Sequence, residues 1–475
     1  MIAASLHPEP VRAPCRPRGR WAFGLTGRSI GLLIAGFLWL IPGFWDGTLS
    51  YAMLGWDGLV LLATWLDGMR LPRPGELTAS RSWANAPALD SETEIELTIE
   101  NQGRVIVDCR LMDDLPPGLV ELPATHRVTA YPRAPASIRY RVEPQERGDA
   151  EAGSLYIRYR SLLGLAERWA KAPLAQKVRV YPALRTGEEQ QIFLARSRQI
   201  DLQLRQARQR GLGRDFESLR EYREGDDLRD ICWTATARRG SPITRQYQTE
   251  RSQPVWIVLD CGRLMRSRVA AIARGKSVLP VAEPRARLHS KLDYACTTAV
   301  SLAQLALYSG DRVGLLAYGQ GIQQRLLPGR GAAHLRQLIE SLAQVRAEVS
   351  EADHLRATAM LNRLQPRRSL ILWITDLAES AMRPEVIDGA VQLLRHHVLL
   401  FVAMAQPEID LIAQARPKNV EQMFRATAAQ EMAGRRELLL ARLHEQGALT
   451  LDLNPEALTS SVLNQYLTVK ERAMV

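Results

Sequence analysis

Two aspartates, Asp260 and Asp376, follow the apolar run Val255–Leu259 and the run Ser369–Thr375, which reads as buried. Carboxylates brought together at strand ends can hold a hard divalent cation such as Mg²⁺, whose near-octahedral oxygen shell is partly water. Glu379 lies nearby in sequence. In Asp260-Cys-Gly-Arg-Leu-Met265, Gly262 brings no ligand, whereas the Arg263 guanidinium can pair with either carboxylate and so take the cation position. Strand-end carboxylates also cap helices or accept loop amides, and that reading stands beside the cation one. Other chemistry is missing. The chain has no G-x-x-x-x-G-K-[ST] phosphate loop and no H-E-x-x-H. Its 8 histidines show no ligand spacing, and its 5 cysteines are far apart with no CxxC pair, which fits a reducing compartment.

The elements around the two aspartates alternate. Val255–Leu259 reads as a strand, Lys291–Leu307 as a helix with one apolar stripe, and Gly310–Tyr318 as a second strand. An antiparallel edge strand is expected near Gln323–Leu327, helices near 332–345 and 352–364, and a buried strand at Ser369–Thr375. A helix near 384–395, strands at Val398–Val402 and Leu449–Leu453 and a last helix from Pro455 complete the order. Fully apolar strands alternating with helices predict a doubly wound, mainly parallel sheet. Ligands of such sheets bind beyond the carboxyl ends of the strands, where both aspartates fall.

Upstream, residues 75–182 alternate apolar and polar positions in short runs, most clearly Glu92–Glu100, and predict a β-sandwich. Before it lie two apolar runs, Ser29–Trp45 and Thr48–Leu66. Each is near the length of about 20 residues that spans a bilayer. Arginines flank them on both outer sides: Arg12, Arg16, Arg18, Arg20 and Arg28 before, Arg70, Arg73 and Arg81 after. That pattern predicts a transmembrane helical hairpin with both ends cytoplasmic. The expected division is a basic N-terminus at 1–28, a membrane hairpin at 29–70, the sandwich at 75–182, a basic linker and signature segment at 183–252, and the α/β domain at 253–475.

The net charge of +11 invites a nucleic-acid reading. Within 201–248, however, arginines interleave with carboxylates, so a salt-bridged segment fits better than a phosphate-binding stripe, and no nucleic-acid partner is expected. This segment also carries Phe216, Leu219, Arg220, Glu221, Tyr222, Gly225, Asp226, Arg229, Ile231, Trp233 and Arg238 in one ungapped pattern. Gly225-Asp226-Asp227 is a turn signal. Arg220, Glu221, Asp226, Arg229 and Arg238 suit an ion network that clasps neighbouring domains, with Ile231 and Trp233 docking onto the next one. A clasp is preferred to a catalytic role.

The pattern F-x-x-L-R-E-Y-x-x-G-D-x-x-R-x-I-x-W-x-x-x-A-R resembles the signature of a bacterial family catalogued as domain of unknown function 58. The resemblance extends to the order of hairpin, sandwich, signature and α/β domain. It implies that the last domain is von Willebrand factor A-like. In that fold a D-x-S-x-S motif, a Thr loop and a further Asp hold Mg²⁺ for a partner's carboxylate. Here Gly262 and Leu264 replace the two hydroxyls, and Ser350 is the nearest substitute for the Thr, so only a weak or absent Mg²⁺ site on Asp260 and Asp376 is expected.

The same resemblance implies a function: a non-enzymatic, membrane-anchored adaptor or scaffold facing the bacterial cytoplasm from the plasma (inner) membrane. Its partners would be a MoxR-type AAA+ ATPase, membrane lipid and other envelope proteins, and its work the assembly or remodelling of envelope complexes. The face presented would include Asp260, Gly262, Arg263 and Asp376. The alternatives are a metal-dependent hydrolase using Asp260 and Asp376, or nucleic-acid binding through 201–248.

Overall fold

A computed structural model describes residues 7–19, 22–39, 41, 50–119, 124–183, 191–200, 215–223, 231–248, 253–270, 288–377 and 385–472. Gly225, Asp226, Arg229 and Glu379 lie outside the described residues. The chain divides into two units, Met1–Ala183 and Leu184–Val475.

The first unit is built from antiparallel strands. One sheet joins β1 (Val11–Pro14), β4 (Leu77–Trp83), β5 (Thr93–Asn101) and β8 (Pro135–Val142) in the order β1-β4-β5-β8. The second joins β2 (Arg16–Pro17), β11 (Ala166–Ala172), β10 (Leu155–Ser161), β6 (Val107–Asp113) and β7 (Thr125–Ala130), with β3 (Phe23–Leu25) also on β11. β9 (Gly148–Ala152) pairs with β12 (Gln176–Val180). The strict alternation in β5 places Ile95, Leu97 and Ile99 out of solvent and the intervening Glu94, Glu96 and Glu100 on the half-buried face. These apolar residues share one core with Cys109, Leu111, Leu155, Ile157 and Tyr159 of the second sheet.

One ion pair crosses that core. Arg81 on β4 bonds Asp113 on β6, and both are buried. The Arg81 guanidinium also donates to the carbonyls of Leu174 (3.0 Å) and Gly153 (3.1 Å), and the Tyr140 hydroxyl donates to Asp113 (2.5 Å). A buried charge is tolerable only when its partners are this complete.

The membrane hairpin predicted from hydropathy is not found. Among the described residues no helix is long and apolar enough to cross a membrane. The helices in that region are α1 (Gly27–Gly36), only 10 residues long, and α2 (Ser50–Arg70), which carries Asp57 and Asp67. Asp67 is buried, and its carboxylate accepts from the Ser161 hydroxyl (2.6 Å) and the amides of Leu165 (3.1 Å) and Ala166 (3.0 Å). Arg168 closes the same helix end by donating to the Gly68 carbonyl at 2.9 Å. Three of the arginines read as flanks lie on strands, Arg12 on β1, Arg16 on β2 and Arg81 on β4. Arg12 on β1 pairs with Glu100, and the Arg18 guanidinium lies 4.8 Å from the Tyr156 ring centroid. The expectation of a transmembrane hairpin is corrected accordingly: the described fold is mixed α/β with several antiparallel sheets. The carboxylate that ties α2 to a loop, Asp67, stands just past the apolar run Thr48–Leu66.

The second unit centres on six strands ordered β19-β18-β15-β20-β21-β22. These are β15 (Pro254–Asp260), β18 (Arg312–Tyr318), β19 (Ile322–Gly329), β20 (Leu370–Thr375), β21 (Val398–Met404) and β22 (Leu449–Leu453). All neighbours run parallel except β19, an antiparallel edge on β18. Apart from this sheet, β16 (Arg268–Ala270) pairs with β17 (Leu288–Ser290). Helices of this unit include α3 (Trp233–Arg239), α4 (Lys291–Tyr308), α5 (Gly331–Gln344), α6 (His354–Leu364), α7 (Glu385–Leu394), α8 (Pro407–Gln414), α9 (Val420–Glu445) and α10 (Pro455–Glu471). Residues of α6, α7 and α9 pack with Trp256, Trp373 and Phe401 in one core, while α4 packs against α5 and α10.

Candidate functional site at the strand ends

The strand order reverses direction at β15: β18 lies on one side and β20 on the other. The carboxyl ends of these strands frame the crevice where a doubly wound sheet takes ligands. Asp260 ends β15 and Asp376 follows Thr375, the last residue of β20. The structure thus brings the two predicted carboxylates to one place.

Each carboxylate is engaged by the protein. Asp260 is buried, accepts the Gly262 amide at 2.7 Å and accepts the Thr375 hydroxyl at 2.6 Å. Burial pushes its carboxyl above the ordinary range, against the pull of nearby His354 and those two hydrogen bonds. Asp376, fully buried, forms an ion pair with the fully buried ammonium of Lys291, the first residue of α4. Lys291 also lies 3.5 Å from the Met404 carbonyl at the end of β21. Burial pushes the Lys291 ammonium below its ordinary value, opposed by Asp376.

The loop between α5 and α6 closes over this crevice. The Glu348 amide donates to the Cys261 carbonyl (2.7 Å), the Arg263 amide to the Ser350 carbonyl (2.9 Å), and the Asp353 amide to the Gly319 carbonyl (2.9 Å). Ser350, the predicted stand-in for a ligating Thr, turns its hydroxyl to Glu348 at 3.2 Å. Gly262 is where the chain passes closest. A Cβ there would lie 2.9 Å from the Ala352 nitrogen and 3.1 Å from its Cβ. No hydroxyl-bearing side chain fits at that position without moving the loop.

The residues present therefore do not fit the divalent cation that the resemblance implied. An ammonium sits on one carboxylate, and a hydroxyl and an amide sit on the other. Among the described residues no group of three or more His, Cys, Asp and Glu converges as a metal site would. Sequence reasoning offered Arg263 as an internal cation; its side chain is exposed, and the cation at Asp376 is Lys291. One signal pointed to it. A lysine at the first position of a helix opposes the helix dipole and needs a carboxylate to offset it. Thr375 was also missed, hidden as the last residue of an apolar strand.

Behind Asp260 runs a polar chain through the sheet. Trp373 Nε1 donates to the Tyr318 hydroxyl (2.7 Å), which bonds His354 Nδ1 at 2.9 Å. An indole N–H can only donate, so it takes one lone pair of the Tyr318 oxygen, and the proton shared between Tyr318 and His354 Nδ1 follows the histidine tautomer. Burial pushes the His354 value down, opposed by Asp260, and the Tyr318 value well up.

The signature segment forms a hairpin of β13 (Asp215–Glu221) and β14 (Ile243–Gln248), with α3 between them. Phe216, Leu219, Arg220 and Glu221 lie on β13 and Tyr222 follows it, its amide donating to the Pro242 carbonyl at 2.9 Å. Ile231 bridges to Thr244, while Trp233 and Arg238 are on α3. Trp233 does not dock: its side chain is 70% exposed. Glu221 and Arg238 are exposed too, so these two are not part of a buried ion network.

Residues 218–408, from within β13 to the start of α8, match the model of a family described as protein of unknown function DUF58. Curated relatives include uncharacterized proteins of Mycobacterium tuberculosis and Mycobacterium bovis. Each is 26% identical over 206 residues, which is 42% of this chain and 58% of the relative. The match thus spans less than two thirds of those proteins. Among solved structures, the conserved hypothetical protein BatB from Bacteroides thetaiotaomicron aligns at 13% identity over 46% of this chain and 100% of its own, with a TM-score of 0.28. An uncharacterized membrane spanning protein from Vibrio fischeri aligns at 13% identity over 45% and 96%, with a TM-score of 0.17. Neither structural likeness is close enough to carry an argument.

Proposed function

We propose that this chain is a non-enzymatic adaptor whose α/β unit, von Willebrand factor A-like in type, recognises a protein partner with the strand-end face and does so without a metal ion. The partner proposed is a MoxR-type AAA+ ATPase. The ATPase would hydrolyse ATP; this chain would supply recognition during assembly or remodelling of envelope complexes. The observation that carries the reading is the Lys291–Asp376 pair at the switch point. It fills with an internal cation the place where a metal would otherwise sit, and so leaves the rim for contact. That rim offers Arg263, Glu351 and the apolar Val349, which is 71% exposed. Buried cores of protein interfaces are built on such apolar contacts ringed by polar groups. Cys15, Cys109, Cys232, Cys261 and Cys296 are all buried thiols, in keeping with work in a reducing compartment.

The test mixes the purified full chain with a purified MoxR-type ATPase under nucleotide-trapping conditions. The expected result is a co-eluting complex that survives a chelator and is weakened about tenfold or more by Val349→Glu. Failure to form a complex in any nucleotide state overturns the proposal.

A further inference from the structure

Arg110 on β6 stands directly opposite Arg158 on β10 and directly opposite Arg127 on β7. Three arginines therefore lie abreast on three neighbouring strands. Like charges facing each other across a sheet destabilise it unless something offsets them. The outer two are offset. Arg127 donates to Asp108 at 2.7 and 2.9 Å, and Arg158 donates to Glu167 at 2.7 Å. Asp108 is shared further, accepting from Arg160 at 2.9 Å. The Arg127 guanidinium holds its carboxyl below the usual range. The middle one, Arg110, is exposed and has no hydrogen bond or ion pair among the described residues.

This face is also concave. α1 starts beside it, and Arg28 in its first turn donates to the Leu163 carbonyl at 3.1 Å. Together they enclose a cavity of about 340 Å³ lined by four arginines, Arg28, Arg110, Arg158 and Arg160, against two carboxylates, Asp108 and Glu167. Both carboxylates are already committed. The cavity is thus left with excess positive charge and one guanidinium fork without a partner. Gly27 is part of the wall, so the positive end of the α1 dipole adds to the same field.

We propose that this cavity binds a phosphate group, with Arg110 as its principal contact. A guanidinium fork matches two oxygens of a phosphate, and several forks converging suit a tetrahedral dianion better than a planar carboxylate. The volume, at the low end of the range of small-ligand pockets, admits the phosphate with a modest organic part. The phosphate belongs to a soluble ester or to a lipid headgroup.

The experiment uses the full chain, with inorganic phosphate as the probe in calorimetric titration and thermal unfolding. Saturable binding is expected, accompanied by a rise in Tm at about 10 mM phosphate. Arg110→Gln should weaken binding about tenfold or more while leaving the unliganded Tm unchanged or higher, because it relieves the like-charge row. Arg28→Gln, at the opposite wall, should weaken binding independently. No saturable binding to the wild-type chain, or equal binding by Arg110→Gln, overturns the proposal. Vesicles of phosphatidylcholine with and without phosphatidic acid separate the sources. Retention that needs phosphatidic acid and Arg110 assigns a headgroup; phosphate binding without retention assigns a soluble ester.

Discussion

Lys291 and Asp376 form a fully buried ion pair at the point where the strand order of the α/β sheet reverses. The lysine comes from the first turn of a helix and the aspartate from the end of a strand, so the pair ties α4 to β20. Breaking a buried pair costs more than the pair contributes, because one charge is left without a counterpart.

Lys291→Met should therefore destabilise the chain by about 3–5 kcal/mol, and the double variant Lys291→Met with Asp376→Leu should recover most of that loss. Denaturant unfolding measures both. Mg²⁺ should leave the midpoint of the wild-type protein unchanged. A midpoint that rises with Mg²⁺ would show that the lysine yields to a metal.

Restoring a serine at Gly262 should not restore a metal site. The new Cβ would meet the Ala352 backbone at 2.9 Å. The expected result is a loss of about 1–3 kcal/mol with no gain in Mg²⁺ binding. A neutral effect on stability would mean that the loop over the crevice moves freely, against the three backbone hydrogen bonds that hold it.

Acid should loosen the α/β unit through His354. Its folded-state value lies below the ordinary 6.5 because it is buried. The unfolded chain then binds the extra proton first, so stability present above about pH 6.5 is lost as the pH falls below it. Asp260, raised by burial, acts with the opposite sign: its contribution declines as the pH rises from 3.8 towards its folded value. Replacing His354 with Gln should remove the acid-side loss that begins near pH 6.5, as followed by unfolding across about pH 4–8. An unchanged profile would mean that His354 titrates alike in the folded and unfolded chain, against the effect of its burial.

In the strand-built unit the weak point is Asp113. Tyr140→Phe should cost about 1.5–3 kcal/mol, as for a hydrogen bond to a charged group, and Arg81→Met about 3–5 kcal/mol. Their double variant should fall short of the sum, since both act on one carboxylate. Additive losses would place the two side chains in separate networks.

Much of the α/β unit was legible because its central strands are almost uniformly apolar and α4 carries an apolar stripe. The run Ser369–Thr375 appears as β20, and the helix expected from Pro455 appears as α10. The helix α9 was not legible: its charged residues surround it, and Val420, Phe424 and Leu438 are exposed rather than aligned on one buried stripe. Nor were β1, β2 and β3. They are two to four residues long, β1 and β2 carry proline and arginine and β3 a glycine, and they pair along the edges of β4 and β11. The candidate site was half legible. Both aspartates announce themselves at strand ends, but the groups that neutralise them, Lys291 and Thr375, are distant in sequence or unremarkable in type. The expectation for Trp233 failed on geometry. Alternation of Ile231 with Trp233 suggests a strand, whereas Trp233 opens a helix and faces solvent.

The helical excursion from α1 to α2 leaves and returns at a single turn. Thr26, at its start, gives its hydroxyl to the carbonyl of Gly164 at 2.5 Å, and Asp67, near its end, holds the amides of Leu165 and Ala166. Topologically the whole stretch is an insertion between β3 and β4 whose two ends are stapled to the same few residues. A sheet needs no knowledge of what such an insertion contains. Its two staples fix where it meets the strands, so Arg28 in its first turn stays beside Arg110 and Arg158.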